Sequence, residues 1–187
     1  MLMTAPYPPI EHPTPSLDYC RSLIRDVPDF PKPGIVFKDI TPLLGNPRAL
    51  HIVLDAVAEQ FIGESIDAIV GIEARGFIFG GALAARLNAG FVPARKPGKL
   101  PASVDRVELV TEYSRDALEM HSHSLRTNAR VLIVDDVLAT GGTARAAGKL
   151  VQQQGARVVG YAFVIELAFL KGREQLSPSR VESCLVY

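Results

Sequence analysis

Apolar side chains recur along the chain in two rhythms. From Ser16 onward, Leu17, Cys20, Leu23, Ile24 and Val27 follow the spacing of one helix face, with Ser16 as N-cap and Pro28 as the stop. Ile35–Phe37 is a short extended piece. A second helix is predicted from Pro47 to Phe61, with proline at a favoured first position and Leu50, Val53, Leu54, Val57 and Phe61 on one side. Then strand and helix alternate. Strands are predicted at Asp67–Ile72, Phe91–Pro93, Arg130–Asp135 and Arg157–Ile165. Helices are predicted at Gly76–Leu87 and Thr143–Gln154, the latter ended by Gly155. Near-continuous apolar strands separated by helices imply an α/β fold whose parallel sheet is covered on both faces.

Two stretches break the rhythm. Residues 1–15 form a loose, proline-punctuated tail with neither the basic start nor the apolar run of a secretory signal. Residues 95–120 carry many charges, Pro97, Gly98 and Pro101, and only sparse periodicity. An insertion of that length in a compact domain is usually functional. The remainder, 16–187, is expected to be a single domain.

Composition narrows the function classes. Lys+Arg and Asp+Glu both number 20, so the formal net charge is zero and the field needed for non-specific nucleic-acid binding is missing. No apolar run reaches the ~18 residues of a membrane span. Cys20 and Cys184 lack metal or redox spacing, and His121 and His123, two apart, are poorly placed to share an ion, so no protein-bound metal site is expected. A soluble cytoplasmic protein is the expectation.

The strongest chemistry lies in VLIVDDVLATGGT, Val131–Thr143. An apolar strand ends in Asp135 and Asp136, and Ala139, Thr140, Gly141, Gly142 and Thr143 then open a helix. Glycines let backbone amides point at an anion, hydroxyls add donors, and the helix N-terminus adds positive potential. The carboxylates cannot hold phosphate themselves. They suit ribose hydroxyls or a divalent metal, so the pattern is that of a phosphorylated-sugar site. Neither a Walker A loop nor a dinucleotide fingerprint is present.

IVDDVLATGGT resembles the 5-phosphoribosyl 1-pyrophosphate (PRPP) signature of the type I phosphoribosyltransferases. DFPKPGIVFKDITPLL (29–44), GIEARGFIFG (71–80), ARKPGKLP (94–101), EYSRDALEMH (112–121) and AFVIEL (162–167) are similar to the adenine-using branch of that family. The resemblance covers roughly residues 24–176. It implies a Rossmann-like, mostly parallel sheet with an N-terminal hood at about 16–45 and a flexible lid at about 95–120. It also implies a homodimer, and the reaction of adenine with PRPP to AMP and pyrophosphate, with Mg²⁺ carried on PRPP.

By that resemblance Asp135, Asp136 and the 139–143 loop hold ribose and 5′-phosphate. Arg75, Arg95, Lys96, Lys99 and Tyr113 take pyrophosphate, which suits their charge. Glu112 sits by the reacting centre, as proton acceptor or as stabiliser of cationic character, and Arg75 assists catalysis there. Val36, Phe37, Lys38, Val137 and Leu167 surround the base, with Phe37 stacking on the purine. On residue chemistry alone Glu112 is an exposed acid and Phe37 a core residue. Lids of this kind exclude water and complete a site. Two rivals differ in chemistry: transfer to another purine base, and a PRPP-sensing regulator, which would carry a basic DNA-binding appendage.

Overall fold

The computed structural model describes residues 16–110 and 115–187. The tail 1–15 and the pair Glu112 and Tyr113 lie outside the described residues. The chain divides into two compact units, the first ending at Ile52 and the second running Val53–Tyr187.

In the first unit, helix α1 (Leu17–Ser22) is capped by Ser16, whose side chain accepts the Tyr19 N–H. The helix predicted to Val27 stops five residues early. Arg25–Pro28 is instead strand β1, antiparallel to β2 (Val36–Asp39) with Val27 opposite Phe37. Cross-strand pairs explain the difference: Arg25 bonds Asp39 at 2.6 Å and Lys38 bonds Asp26 at 2.7 Å, partners a continued helix would not supply. Phe30 and Phe37 meet edge to face, centroids 5.2 Å apart. A single turn, α2 (Thr41–Leu44), leads to α3 (Pro47–Gln60), the predicted second helix.

The second unit is built on five parallel strands: β3 (Ala68–Ile72), β4 (Gly90–Ala94), β7 (Arg130–Leu138), β8 (Arg157–Glu166) and β9 (Val181–Val186). Their spatial order is β4-β3-β7-β8-β9. Helix α4 (Gly76–Arg86) follows β3, and α5 (Gly142–Gln153) follows β7. Val131, Ile133 and Phe163 from the strands and Ala147, Leu150 and Val151 from α5 share one buried cluster. Gly155, at φ +73°, turns the chain after α5.

Residues 95–120, expected to lack regular structure, hold an antiparallel ribbon. Strand β5 (Val104–Val110) pairs with β6 (Arg115–His121), with Val107 opposite Leu118. Val107, Leu118 and Met120 are buried in the same cluster as the sheet, which gives the ribbon an apolar face. β7 also runs three residues beyond the predicted Asp135, because Val137 and Leu138 continue the ladder with Ile165 and Glu166 of β8.

This order creates the crevice. The chain leaves β3 toward β4 on one side and returns to β7 on the other. The loops after β3 and β7 therefore diverge at the carboxyl ends of neighbouring strands, where open α/β sheets bind ligands.

Candidate active site

The loop after β7, Ala139–Gly141, and the start of α5 enclose a small hollow of about 70 Å³. All five loop residues named from the sequence line it, along with Asp135, Val137 and Phe163. Gly141 stands at φ +82°, a left-handed conformation that only glycine adopts without strain. A Cβ there would lie 2.4 Å from the Gly172 carbonyl oxygen. Gly172 begins the 3₁₀ segment Gly172–Leu176 and backs the loop so closely that a Cβ on it would stand 2.1 Å from the Ala139 oxygen. Arg173 fixes this backing: its Nε and Nη2 donate to Glu166 at 3.0 and 2.6 Å, and its Nη1 to the Val181 carbonyl at 2.6 Å. The Arg173 guanidinium holds the Glu166 carboxyl below its usual range.

Beside the hollow, an open cleft of about 490 Å³ spreads between the ends of β3 and β7. Asp135, Val137 and Thr143 border both, so the cradle and the cleft are adjoining parts of one site. Arg75 and Lys96 supply the positive residues of the cleft lining, and Glu73, Asp135 and Asp136 the negative ones. Among the described residues the buried charged side chains are Glu119, Asp136 and Glu166, and each faces an arginine. Asp136 is paired with Arg75 Nε. Asp135 turns its Oδ1 to the Asp136 N–H at 2.9 Å. Burial, and secondarily the charge of Asp136, pushes the Asp135 carboxyl well above its usual range.

The first turn of α4 sets this geometry. A Cβ at Gly76 would lie 2.8 Å from the Val134 oxygen and 2.9 Å from Asp135 Oδ1. Only glycine lets α4 begin against β7 at that depth, and this places Arg75, the residue before it, beside Asp136.

The other basic residues divide. Lys96 borders the cleft. Arg95, expected on pyrophosphate, donates from Nε and Nη2 to Glu73 at 3.2 and 3.1 Å and from Nη1 to the Lys99 carbonyl at 2.8 Å. It is half-buried over the Phe77 ring, 5.9 Å from its centroid. The Arg95 guanidinium, with help from the Lys96 N–H, keeps the Glu73 carboxyl below its usual range. Lys99 is exposed, its backbone tied to Arg95.

Of the residues expected around a base, Val137 and Leu167 belong to the second unit. Val137 is registered with Ile165 at the end of the β7–β8 ladder, and the Leu167 N–H just beyond β8 donates to the Leu138 carbonyl at 2.9 Å. Val36, Phe37 and Lys38 lie on β2 in the first unit, with Val36 half exposed, Phe37 against Phe30, and Lys38 bonded to Asp26. Sequence reasoning passed over Glu73, Glu119, Glu166, Gly172 and Arg173. The available signal was an acid flanked by buried apolar neighbours, as in Leu118–Glu119–Met120 and Ile165–Glu166.

Comparison with known proteins places this geometry. The phosphoribosyl transferase domain model matches residues 44–184. The adenine phosphoribosyltransferase of Sorangium cellulosum is 60% identical over 179 residues, 96% of this chain and 88% of the relative. The crystal structure of adenine phosphoribosyltransferase from Rhodothermus marinus superposes with a TM-score of 0.87 at 50% identity, covering 91% of this chain and 98% of that one. The Saccharomyces cerevisiae enzyme, crystallised with an imino-altritol bisphosphate and adenine, gives a TM-score of 0.85 at 41% identity, covering 90% and 97%. With a glycine-bearing loop, a paired-acid strand end and Arg75 and Lys96 gathered at one sheet crevice, the chain belongs to the phosphoribosyltransferase family, in its adenine phosphoribosyltransferase branch.

Proposed function

We propose that this chain transfers the phosphoribosyl group of PRPP to adenine, forming AMP and pyrophosphate in purine salvage. The observation that carries the reading is the acidic pair at the end of β7: Asp135 borders both the Ala139–Thr143 hollow and the cleft, and Asp136 borders the cleft together with Arg75 and Lys96. A 5′-phosphate belongs in the cradle, where backbone amides meet it. Ribose hydroxyls donate to the carboxylates, and pyrophosphate extends into the cleft toward the cations. The base nitrogen attacks the anomeric carbon, the bond to pyrophosphate oxygen breaks, and positive charge develops on the ribose ring between these events.

Each residue then has a task. Arg75 and Lys96 neutralise the charge gathering on the departing pyrophosphate, a gain that preorganised charges supply without reorganisation. Arg75 is already oriented by Asp136. Glu112, beyond the described residues, takes the proton leaving the base or faces the cationic ring, and Tyr113 and Lys99 close on pyrophosphate. The ribbon of residues 95–120 acts as a lid that excludes water from the oxocarbenium-like centre. The segment at about 16–45 is the proposed hood, in which Phe37 stacks on adenine with Val36 and Lys38 binding it as well, and Val137 and Leu167 are further proposed contacts of the base.

Mg²⁺ suits this donor set. It commonly takes one or two carboxylates plus substrate phosphates, and Asp135 and Asp136 offer such oxygens where PRPP brings its own. Bound there, it would offset pyrophosphate charge. No described helix is long and apolar enough to cross a membrane. A cytoplasmic homodimer without nucleic-acid partners completes the proposal, and light scattering should give twice 20.2 kDa. The reaction is tested by supplying PRPP, Mg²⁺ and each purine base in turn. AMP from adenine alone is expected. A nucleotide from another base would overturn the hood assignment, and tight PRPP binding without product would favour a PRPP-sensing regulator.

A further inference from the structure

The cleft's cationic rim is held from behind by an acid that the reaction does not consume. Glu119 lies on β6, 6% exposed, between Leu118 and Met120. Its backbone exchanges both hydrogen bonds with Arg95, the N–H of Arg95 donating at 2.8 Å and that of Glu119 at 2.7 Å. Its Oε2 accepts the Gly98 N–H at 2.9 Å, and its Oε1 faces Arg106 Nη1 at 3.7 Å. Gly98 stands at φ +74°, a left-handed conformation that glycine takes without strain, and this turns its N–H within reach of Glu119. Glu73 grips the other end of the same turn through the Arg95 guanidinium and the Lys96 N–H. Lys96, between the two grips, borders the cleft.

We infer that Glu119 is a positioning residue for the pyrophosphate end of the site: it pins the Arg95–Lys99 turn to the lid ribbon so that Lys96 is presented to the cleft. A buried carboxylate is costly unless its oxygens are satisfied, and here they are satisfied by the turn and by the ribbon. Glu119 therefore ties the turn to β6 twice, through its backbone at Arg95 and through its side chain at Gly98. The inference rests on the proposed phosphoribosyl transfer.

The test compares Glu119→Ala, Glu119→Asp and Glu119→Gln with the unaltered chain. PRPP and adenine KM and kcat are measured together, with pyrophosphate binding by calorimetry in Mg²⁺. Losing a hydrogen bond to a buried charged group is expected to raise the PRPP KM and weaken pyrophosphate about 10-fold or more in the alanine variant. The adenine KM should stay within about twofold, a split that a general loss of structure would not give. Glu119→Gln, which keeps an acceptor for Gly98, should recover most of the loss. Should the alanine variant not fold, Glu119→Asp decides, because its shorter chain withdraws the oxygen while keeping the charge. Unchanged PRPP KM and pyrophosphate affinity, or equal losses for both substrates, would overturn the inference. An unaltered chain that neither makes AMP nor binds pyrophosphate would instead overturn the proposed reaction, and with it this role.

Discussion

Gly141→Ala tests the cradle through a single methyl group. The residue sits at φ +82°, and its added Cβ would stand 2.4 Å from the Gly172 oxygen and 3.1 Å from Gln175 Cβ. The left-handed backbone alone costs an alanine roughly 1–2 kcal/mol. The oxygen belongs to backbone, and Arg173 anchors that backbone to Glu166 and Val181. The 3₁₀ segment therefore does not yield, and the 139–143 loop must move. With the collision included, the strain is about 2–3 kcal/mol. If the loop relaxes by abandoning the cradle, that strain leaves PRPP binding, and kcat/KM for PRPP falls roughly 30- to 150-fold. The melting temperature should then fall by less than the ~4–12 °C that the same strain would cost if retained in the folded state. Steady-state kinetics with PRPP varied at saturating adenine, beside a thermal melt, reads both. A PRPP KM within about twofold of the unaltered chain would refute the assignment of this loop to the 5′-phosphate.

Three further outcomes are expected. Asp135 is held above the usual carboxylate range, so the folded chain keeps a proton that the unfolded chain has lost above about pH 4, and stability falls as pH rises through that interval. Asp135→Asn removes this burden, so its melting temperature without ligand should gain on the unaltered chain from about pH 4 upward; a gap independent of pH would contradict the burial argument. Phe37→Ala should raise the adenine KM roughly 10-fold by loss of stacking while leaving the PRPP KM in place, and equal changes in both would remove Phe37 from the base site. Glu112→Leu should lower kcat far more than it alters adenine KM, whereas a matched loss would make Glu112 a binding residue.

The parts of the fold legible in the sequence are those whose burial leaves a long, one-sided pattern. β7 is apolar on both faces because helices cover the sheet, α4 and α5 both packing on this strand, and α3 carries its stripe through four turns. The Ala139–Thr143 loop was legible as a turn because Gly141 stands at positive φ, where glycine sits without strain, and the paired acids before it mark the end of a buried strand. β1 was not legible, since four residues with cross-strand ion pairs leave the same apolar spacing as a helix end. The β5–β6 ribbon was hidden by its charges: Arg106 and Glu108 flank the buried Val107, and the buried Glu119 interrupts the apolar run Ala117, Leu118, Met120. For the site, residue type named the cations but not their partners. Arg95 and Lys96 are neighbours in sequence, yet Glu73, 22 residues away from Arg95, occupies the one and leaves the other at the cleft.

The most direct measurement is a crystal structure with AMP and Mg²⁺–pyrophosphate bound together. The account requires the AMP phosphate within the Ala139–Thr143 loop, the ribose hydroxyls on Asp135 and Asp136, and pyrophosphate between Arg75 and Lys96. Pyrophosphate found in the cradle, or ribose turned away from the acidic pair, would contradict it.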